Sequence, residues 1–144
     1  MAGPPRRYGG AITLELAKKV MAAAEAEAKR NQWPMVIAIV DTAGLLVMLH
    51  RMEQAQNASL LLSQEKARTA VDFKRPTKAL QDAVAQGGAN LRLLGAPNLL
   101  PMEGGVPIIM DGEIIGAVGV SGMSSDQDAK VAEAGIAALQ QKSS

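Results

Sequence analysis

The chain contains no cysteine and very few aromatic residues. Its 144 residues include one Phe, one Trp and one Tyr, alongside eight Met. The absence of cysteine excludes a disulfide framework, a thiolate metal site and a cysteine nucleophile. The scarcity of aromatic rings predicts an aliphatic core, which flexible methionines can fill, and removes the base-stacking platforms that single-stranded nucleic-acid binders use.

The chain also lacks an excess of charge of either sign. Fifteen Lys and Arg residues oppose fourteen Asp and Glu residues, giving a formal net charge of +1. We therefore expect neither a nucleic-acid partner nor a membrane-surface helix. The uncharged stretches fall well short of the ~18 apolar residues of a membrane span, and the N-terminus lacks the apolar segment of a secretory signal. These features favour a cytoplasmic protein.

Histidine is almost absent, because His50 is the sole example. A single imidazole excludes the usual zinc and facial-triad sites, and the common motifs for nucleotide binding and hydrolysis are missing. His50 can still act as a haem ligand or a general base at a strand end. Alternatively, His50 has a structural role only, as a partly buried histidine of the strand that is hydrogen-bonded to a partner.

Residues 104–122 form the most informative segment that is present. Asp111-Gly112 lies between two apolar runs and predicts a hairpin, because both central residues of a type I′ turn need positive φ. The expected pairs are Met110 with Glu113, Ile109 with Ile114 and Ile108 with Ile115. The segment holds six of the fourteen glycines, so we expect a backbone or a ligand to pack close to it.

Hydrophobic periodicity and capping residues predict the order α-ββ-αα-ββ-α. The expected helices cover residues 14–31, 60–73, 78–86 and a final stretch from 124–126 to 141, and the first hairpin joins 35–40 to 45–51. Thr13, Asn57 or Ser59, and Thr77 are the expected helix caps. The second strand is apolar on both faces, which predicts a central position in the sheet.

Consecutive hairpins favour an α+β fold with an antiparallel sheet flanked by helices. Residues 1–10 are predicted to form a flexible arm, and residues 11–144 a single domain. Residues 87–103 are irregular but apolar, which suggests burial against a neighbour or over a pocket.

The best cluster of polar residues follows the second strand. Arg51 and Glu53 lie at its end, and helical spacing lets Lys66 and Thr69 face the same region from the next helix. A basic group there could meet an anionic ligand. The alternative is that Arg51 pairs with Glu53 or Glu65 in a solvated network. Asp41 and Asp128 likewise have structural roles open to them, as a turn former and a first-turn helix acid.

The chain resembles the GlcG/HbpS family, which includes the C-terminal domain of PduO-type proteins. The resemblance runs from about Ile12 to Leu139 and rests on stretches in the family's order and spacing: IAIVDTAGLLVMLHRME, SLLLSQEKARTAVDF, PT, GGVPIIMDGEIIGAVGVSG and DQDAKVAEAG. Glu53 and Gln54 stand where the family more usually has Asp-Gly, which lengthens the acid and removes a flexible residue.

The resemblance implies a profilin-like α/β/α sandwich with a five-stranded antiparallel sheet, assembled as dimers or higher oligomers. Since four strands are predicted from the residues, the fifth is expected from residues 9–13 or 99–105. The resemblance also implies haem as a cofactor. Matching positions give these candidate ligand-binding residues: Arg51, Lys66, Thr69, Gly105, Gly119, Ser121 and Gly122, with Asp128 also at a family position.

Three functional hypotheses follow. In the first, the protein binds or degrades haem or a related tetrapyrrole, with Arg51 or Lys66 against the propionates and His50, or else Tyr8 or a methionine, near the iron.

The second hypothesis is a cofactor-independent enzyme of the isomerase, lyase or hydrolase type that acts on a small unsaturated carboxylate. His50, Arg51 and Glu53 are then the catalytic candidates, with Ser121 and the amides of residues 119–122 binding developing negative charge. The third, compatible with both, is a self-associating module whose interface includes residues 87–103 and the glycine-rich hairpin. No metal site is predicted.

Overall fold

The structure is a computed structural model that describes residues 6–140. Its elements are α1 (Leu14–Arg30), β1 (Val36–Val40), β2 (Leu46–Arg51), α2 (Ala58–Phe73), α3 (Thr77–Gln86), a 3₁₀ helix (Gly88–Gly95), β3 (Gly105–Met110), β4 (Glu113–Ser121) and α4 (Ser125–Ala137). The predicted order is confirmed, with the 3₁₀ helix as an addition inside the segment expected to be irregular. None of the helices in residues 6–140 has the length and apolar character needed to cross a membrane.

The four strands form one antiparallel sheet in the order β2-β1-β4-β3. Helices α1 and α4 contact each other and cover one face, while α2 packs on β1, β3 and β4 from the other. The predicted α+β class and the α/β/α layering implied by the resemblance are confirmed.

The sheet of the described residues has four strands and not the expected five. Tyr8 forms a single parallel bridge with Ile114. The Gly9 amide donates to the Ile114 carbonyl at 2.9 Å, and the Ile114 amide donates to the Arg7 carbonyl at the same distance. This segment therefore lies along β4 without forming a full strand. Residues 1–5 of the predicted arm lie outside the described residues.

Strand β2 lies at the edge of the sheet, so its predicted central position is wrong. It pairs only with β1, whose other side is taken by β4. Its side chains are half-buried or exposed, and Leu46 is 51% exposed. An apolar run indicates contact with a core on its faces, but it does not determine how many strands pair with its edges.

The register of the β3–β4 hairpin departs from the prediction after two pairs. Met110 pairs with Glu113 and Ile109 with Ile114, as expected, but Ile108 pairs with Gly116. A bulge between Ile108 and Ile109 shifts the ladder by one residue. The turn itself is as predicted, because Asp111 and Gly112 have φ values of 52° and 80°.

The helix caps agree with the sequence in two cases. Thr13 accepts a hydrogen bond from the Leu16 amide at 3.2 Å, and Ser124 begins α4 with a capping box. Asn57 precedes α2 but makes no side-chain capping bond. The prediction that Thr77 caps α3 is wrong, since Thr77 lies within the helix and its hydroxyl accepts from the Gly105 amide at 2.9 Å.

Small residues let α2 lie directly on the sheet. Gly119 of β4 pairs with Ala38 of β1 on one side and with Gly105 of β3 on the other. A Cβ added to Gly119 would overlap the Ser63 carbonyl oxygen of α2, and one on Gly105 would overlap backbone of the same helix. The close packing expected around the hairpin glycines is therefore made by the backbone of α2.

Replacing Gly119 tests this packing. We expect Gly119→Ala to lower the free energy of unfolding by about 3 kcal/mol, because the added methyl group must push α2 away from the sheet. Gly10→Ala is the matched control, since a Cβ there meets nothing within 4 Å. Chemical denaturation measures both variants. Equal stability of the two would show that α2 shifts at no cost.

Candidate functional site

A pocket of about 390 Å³ opens between the end of β2 and the C-terminal half of α1. We call it the β2–α1 pocket. It is lined by Glu25, Lys29, Arg51, Met52 and Glu53. Two cations, two carboxylates and one methionine thus share an open cavity at the edge of the sheet.

Regular elements position these side chains. Glu25 and Lys29 are four residues apart on α1, so they project from the same side of the helix. Arg51 is the last residue of β2, and Met52 is held by a hydrogen bond from its amide to the Met35 carbonyl at 3.0 Å. The Arg51 guanidinium donates to the Asn57 side-chain oxygen at 3.0 Å, so neither predicted acidic partner of Arg51 is the one observed.

His50 lies beside the pocket and is joined to it through Glu25. Its Nδ1 is 2.6 Å from the Glu25 Oε1 atom. Because a carboxylate can only accept, Nδ1 is the donor, and Nε2 is the nitrogen available to a ligand. The His50 side chain is 41% exposed, so it can be reached from solvent.

Two methionines flank His50 on the same face of the sheet. Side chains alternate along an extended chain, so Met48 and Met52 project to the side of His50, and both pack against the core cluster that contains the buried residues of α1. Met48 and Met52 thus place apolar, polarisable side chains on the face of the sheet that also carries the imidazole. The imidazole can ligate a metal, the methionines offer apolar contact, and the two cations at the pocket can bind carboxylates. These groups together suit a flat apolar ligand that carries carboxylates.

Lys66 belongs to a second, buried group on the α2 side of the sheet. Its Nζ donates to the Asp128 Oδ2 at 2.9 Å and to the Val120 carbonyl at 3.0 Å. The Lys66 side chain is 1% exposed and that of Asp128 is 3% exposed. A Cβ on Gly104, which has a φ of +136°, would overlap both the Lys66 ammonium and the Val120 carbonyl. The chain can pass this point only because residue 104 is glycine.

Asp128 is held from two directions. Its Oδ2 accepts from Lys66, and its Oδ1 accepts from the Met123 amide at 3.0 Å. Burial raises the pKa of the Asp128 carboxyl, while the bonds from Lys66 and Met123 act in the opposite direction. Asp128 is thus a first-turn acid of α4, as the sequence predicts, and also the partner of a buried lysine.

The remaining candidate ligand residues also lie in this buried group. The Thr69 hydroxyl accepts from the Leu100 amide at 3.0 Å. Ser121 donates to the Ser59 hydroxyl at 3.0 Å. Gly105 and Gly119 are covered by α2, and Gly122 lies against the Pro34 carbonyl. The turn-forming role of Asp41 is confirmed, since its Oδ1 accepts from the Ala43 amide at 2.9 Å.

The structure therefore separates the sequence-predicted residues into two sets. Arg51 and Glu53 line the β2–α1 pocket and His50 is joined to it through Glu25, whereas the candidates from Lys66 to Gly122 fasten α2, β3 and β4 together. Their roles in ligand binding stay predictions. Sequence analysis missed Glu25 and Lys29, whose spacing on α1 was the available signal.

The buried ion pair can be tested by a double-mutant cycle. We expect Lys66→Met or Asp128→Asn to lower the free energy of unfolding by about 3–5 kcal/mol each, because either leaves one buried partner unpaired. Lys66→Met combined with Asp128→Asn should cost clearly less than the sum of the two single changes, because no unpaired charge is left buried. Denaturant titration measures the series.

The exposed Lys78–Asp82 pair, at 2.7 Å, supplies the control for that cycle. Lys78→Met should leave stability nearly unchanged, because surface pairs contribute little. Additive effects at Lys66 and Asp128 would mean that the two groups do not stabilise each other.

Comparisons with known proteins show to which family the chain belongs. A family model described as "Haem degrading protein HbpS-like" matches residues 12–137. The chain belongs to this family. Protein GlcG of Escherichia coli K12 is 43% identical over 110 residues, which are 76% of this chain and 81% of GlcG.

Two solved structures extend the comparison. A crystal structure of a PduOC:heme complex superimposes with a TM-score of 0.81 and 35% identity, covering 89% of this chain and 94% of that one. A crystal structure of HbpS gives a TM-score of 0.83 and 31% identity, covering 96% and 97% of the two chains. The GlcG/HbpS resemblance predicted from the sequence motifs is confirmed.

Proposed function

We propose that this protein binds haem or a closely related tetrapyrrole beside the β2–α1 pocket, with His50 as the axial ligand. The observation that carries the proposal is the hydrogen bond from the His50 Nδ1 to Glu25. Histidines that ligate metals commonly donate their other ring nitrogen to a carboxylate or a carbonyl. The family and the PduOC:heme structure support the choice of ligand.

The side chains around His50 suit a tetrapyrrole. Met48 and Met52 offer apolar surface on the same face of the sheet, and Lys29 and Arg51 line the pocket, where carboxylates of the ligand would need cations. Haem, when bound, supplies an iron centre whose reactivity depends on its axial ligand and surroundings. The protein's part is to present Nε2 of His50 and to neutralise the propionates.

The second hypothesis, a cofactor-independent enzyme, gains less support. It requires Ser121 and the amides of residues 119–122 to act with His50 and Arg51. Ser121 is buried and hydrogen-bonded to Ser59, and Gly119 is covered by α2. We therefore propose ligand binding as the principal function.

Haemin titration of the purified protein tests the proposal. We expect a saturable change in the Soret band with one haem per chain, because one exposed imidazole is offered by each chain. His50→Ala should abolish the ligated spectrum, and Lys29→Ala or Arg51→Ala should weaken binding several-fold by removing one carboxylate partner.

Lys19→Ala is the matched control for the lysine variant. Lys19 is an exposed residue of the same helix, ten positions or about 15 Å before Lys29. Binding by His50→Ala with an unchanged spectrum would overturn the assignment of the axial ligand. Absence of saturable binding by the unaltered protein would overturn the proposed function.

We also propose that the protein self-associates. Leu91 and Leu94 of the 3₁₀ helix are 49% and 61% exposed, and Leu60 and Leu61 of α2 are 40% and 63% exposed. Contiguous exposed apolar side chains are typical of surfaces that another protein covers, and each of these two pairs offers such side chains. The expectation that residues 87–103 pack against a neighbour thus stays a prediction, since a single chain leaves these leucines uncovered.

Sedimentation velocity measures the state of association. We expect Leu91→Gln combined with Leu94→Gln to shift the protein towards smaller species, because the change removes apolar area from the contact. Leu14→Gln, at an exposed leucine of α1, is the control and should leave the distribution unaltered. A monomeric unaltered protein at all concentrations would contradict the proposal.

A further inference from the structure

We infer that Glu25 is the positioning residue of His50, fixing which ring nitrogen carries the proton and which is presented to a ligand. The inference rests on the proposed haem-binding function and adds to it the residue that orients the axial ligand. Glu25 was not among the residues that the sequence singled out, and its role rests on geometry alone. The decisive contact is the 2.6 Å separation of Glu25 Oε1 from His50 Nδ1.

Two regular elements set this contact. Glu25 lies within the 17-residue helix α1, next to the side of the helix that buries Met21, Ala24 and Ala28 in the core. His50 lies on β2 and pairs with Ile37 of the fully buried strand β1. Because neither group is on a loop, the separation of the two side chains is fixed by the packing of α1 against the sheet.

Glu25 has a second possible partner, Lys29, yet it is hydrogen-bonded to His50. Lys29 is four residues further along α1, the spacing at which a glutamate and a lysine form a common ion pair. Among the ion pairs of residues 6–140, however, Glu25 is joined to His50 and not to Lys29. Lys29 thus lines the pocket without pairing with Glu25, which is hydrogen-bonded to the imidazole.

The contact has a chemical consequence. A carboxylate that accepts from Nδ1–H holds the ring in one tautomer and one orientation, and it increases the electron density at Nε2. A more basic Nε2 is a stronger axial donor and favours ferric over ferrous iron. Glu25 therefore acts through His50, without touching the ligand itself.

The positioning can be measured in the protein without haem, because one histidine gives one set of imidazole signals. Nitrogen-15 NMR, at a pH where the ring is neutral, reports which nitrogen is protonated. We expect the Nδ1–H form in the unaltered protein and in Glu25→Gln, whose amide oxygen can still accept. Glu25→Ala should lose the preference for this form.

Haem binding by the Glu25 variants then separates the effect of the hydrogen-bond acceptor from the effect of its negative charge. We expect Glu25→Ala to weaken haemin affinity by about 10–100-fold, the usual effect of losing such a partner. Glu25→Gln should keep most of the affinity but raise the midpoint potential of the bound haem, since the acceptor remains and the negative charge is gone. Glu15→Gln, in the first turn of the same helix, is the control and should alter neither quantity.

The outcomes distinguish this inference from the proposed function. If Glu25→Ala keeps the Nδ1–H form in a folded protein, the positioning role is overturned whether or not haem binds. If the tautomer depends on Glu25 but the unaltered protein takes up no haem, the positioning role stands and the proposed function fails. A tautomer, an affinity and a potential that all depend on Glu25 would support both.

Discussion

The buried ion pair between Lys66 and Asp128 is the constraint on which the arrangement of layers depends. Lys66 belongs to α2 on one face of the sheet, and Asp128 belongs to α4 on the other, so their contact at 2.9 Å passes around the end of β4. Removing two charges from water is costly unless each finds a close partner and further hydrogen bonds. The Val120 carbonyl and the Met123 amide supply those bonds. The two helical layers are therefore held in one position relative to the sheet.

The close approach of α2 follows from the same constraint. Lys66 can reach across the sheet end only if its helix lies near the strands, and Gly105 and Gly119 permit this by presenting no side chain to α2. Gly105 and Gly119, whose glycine-rich surroundings resemble a ligand-binding loop, therefore serve helix packing. Polar side chains meet in an open cavity at the β2–α1 pocket instead.

Local signals in the sequence predicted much of the fold. The Asp111-Gly112 turn and the Thr13 cap are decided within a few residues, and both are present. The edge position of β2 and the bulge at Ile108 could not be predicted in this way. The first depends on which strand takes the other side of β1, and the second on packing against a complete core.

The same division applies to the candidate site. His50, Arg51 and Glu53 are nearly contiguous at the end of one strand, so the sequence predicts that they lie together. Glu25 lies 25 residues before its partner His50, and only the packing of α1 against β2 reveals their contact. Residues that are distant in the sequence and close in space carry no local pattern, which is why Glu25 and Lys29, two of the five lining residues, could not be predicted.

The edge position of β2 also has a dynamic consequence. This strand carries His50 and Arg51 but is hydrogen-bonded on one side only, to β1. Opening it breaks one ladder, whereas opening α1 or β1 would expose core residues that are fully buried. The two walls of the pocket thus differ in local stability. The wall on α1 is anchored by buried side chains of the core, whereas the wall on β2 is anchored by a single strand ladder.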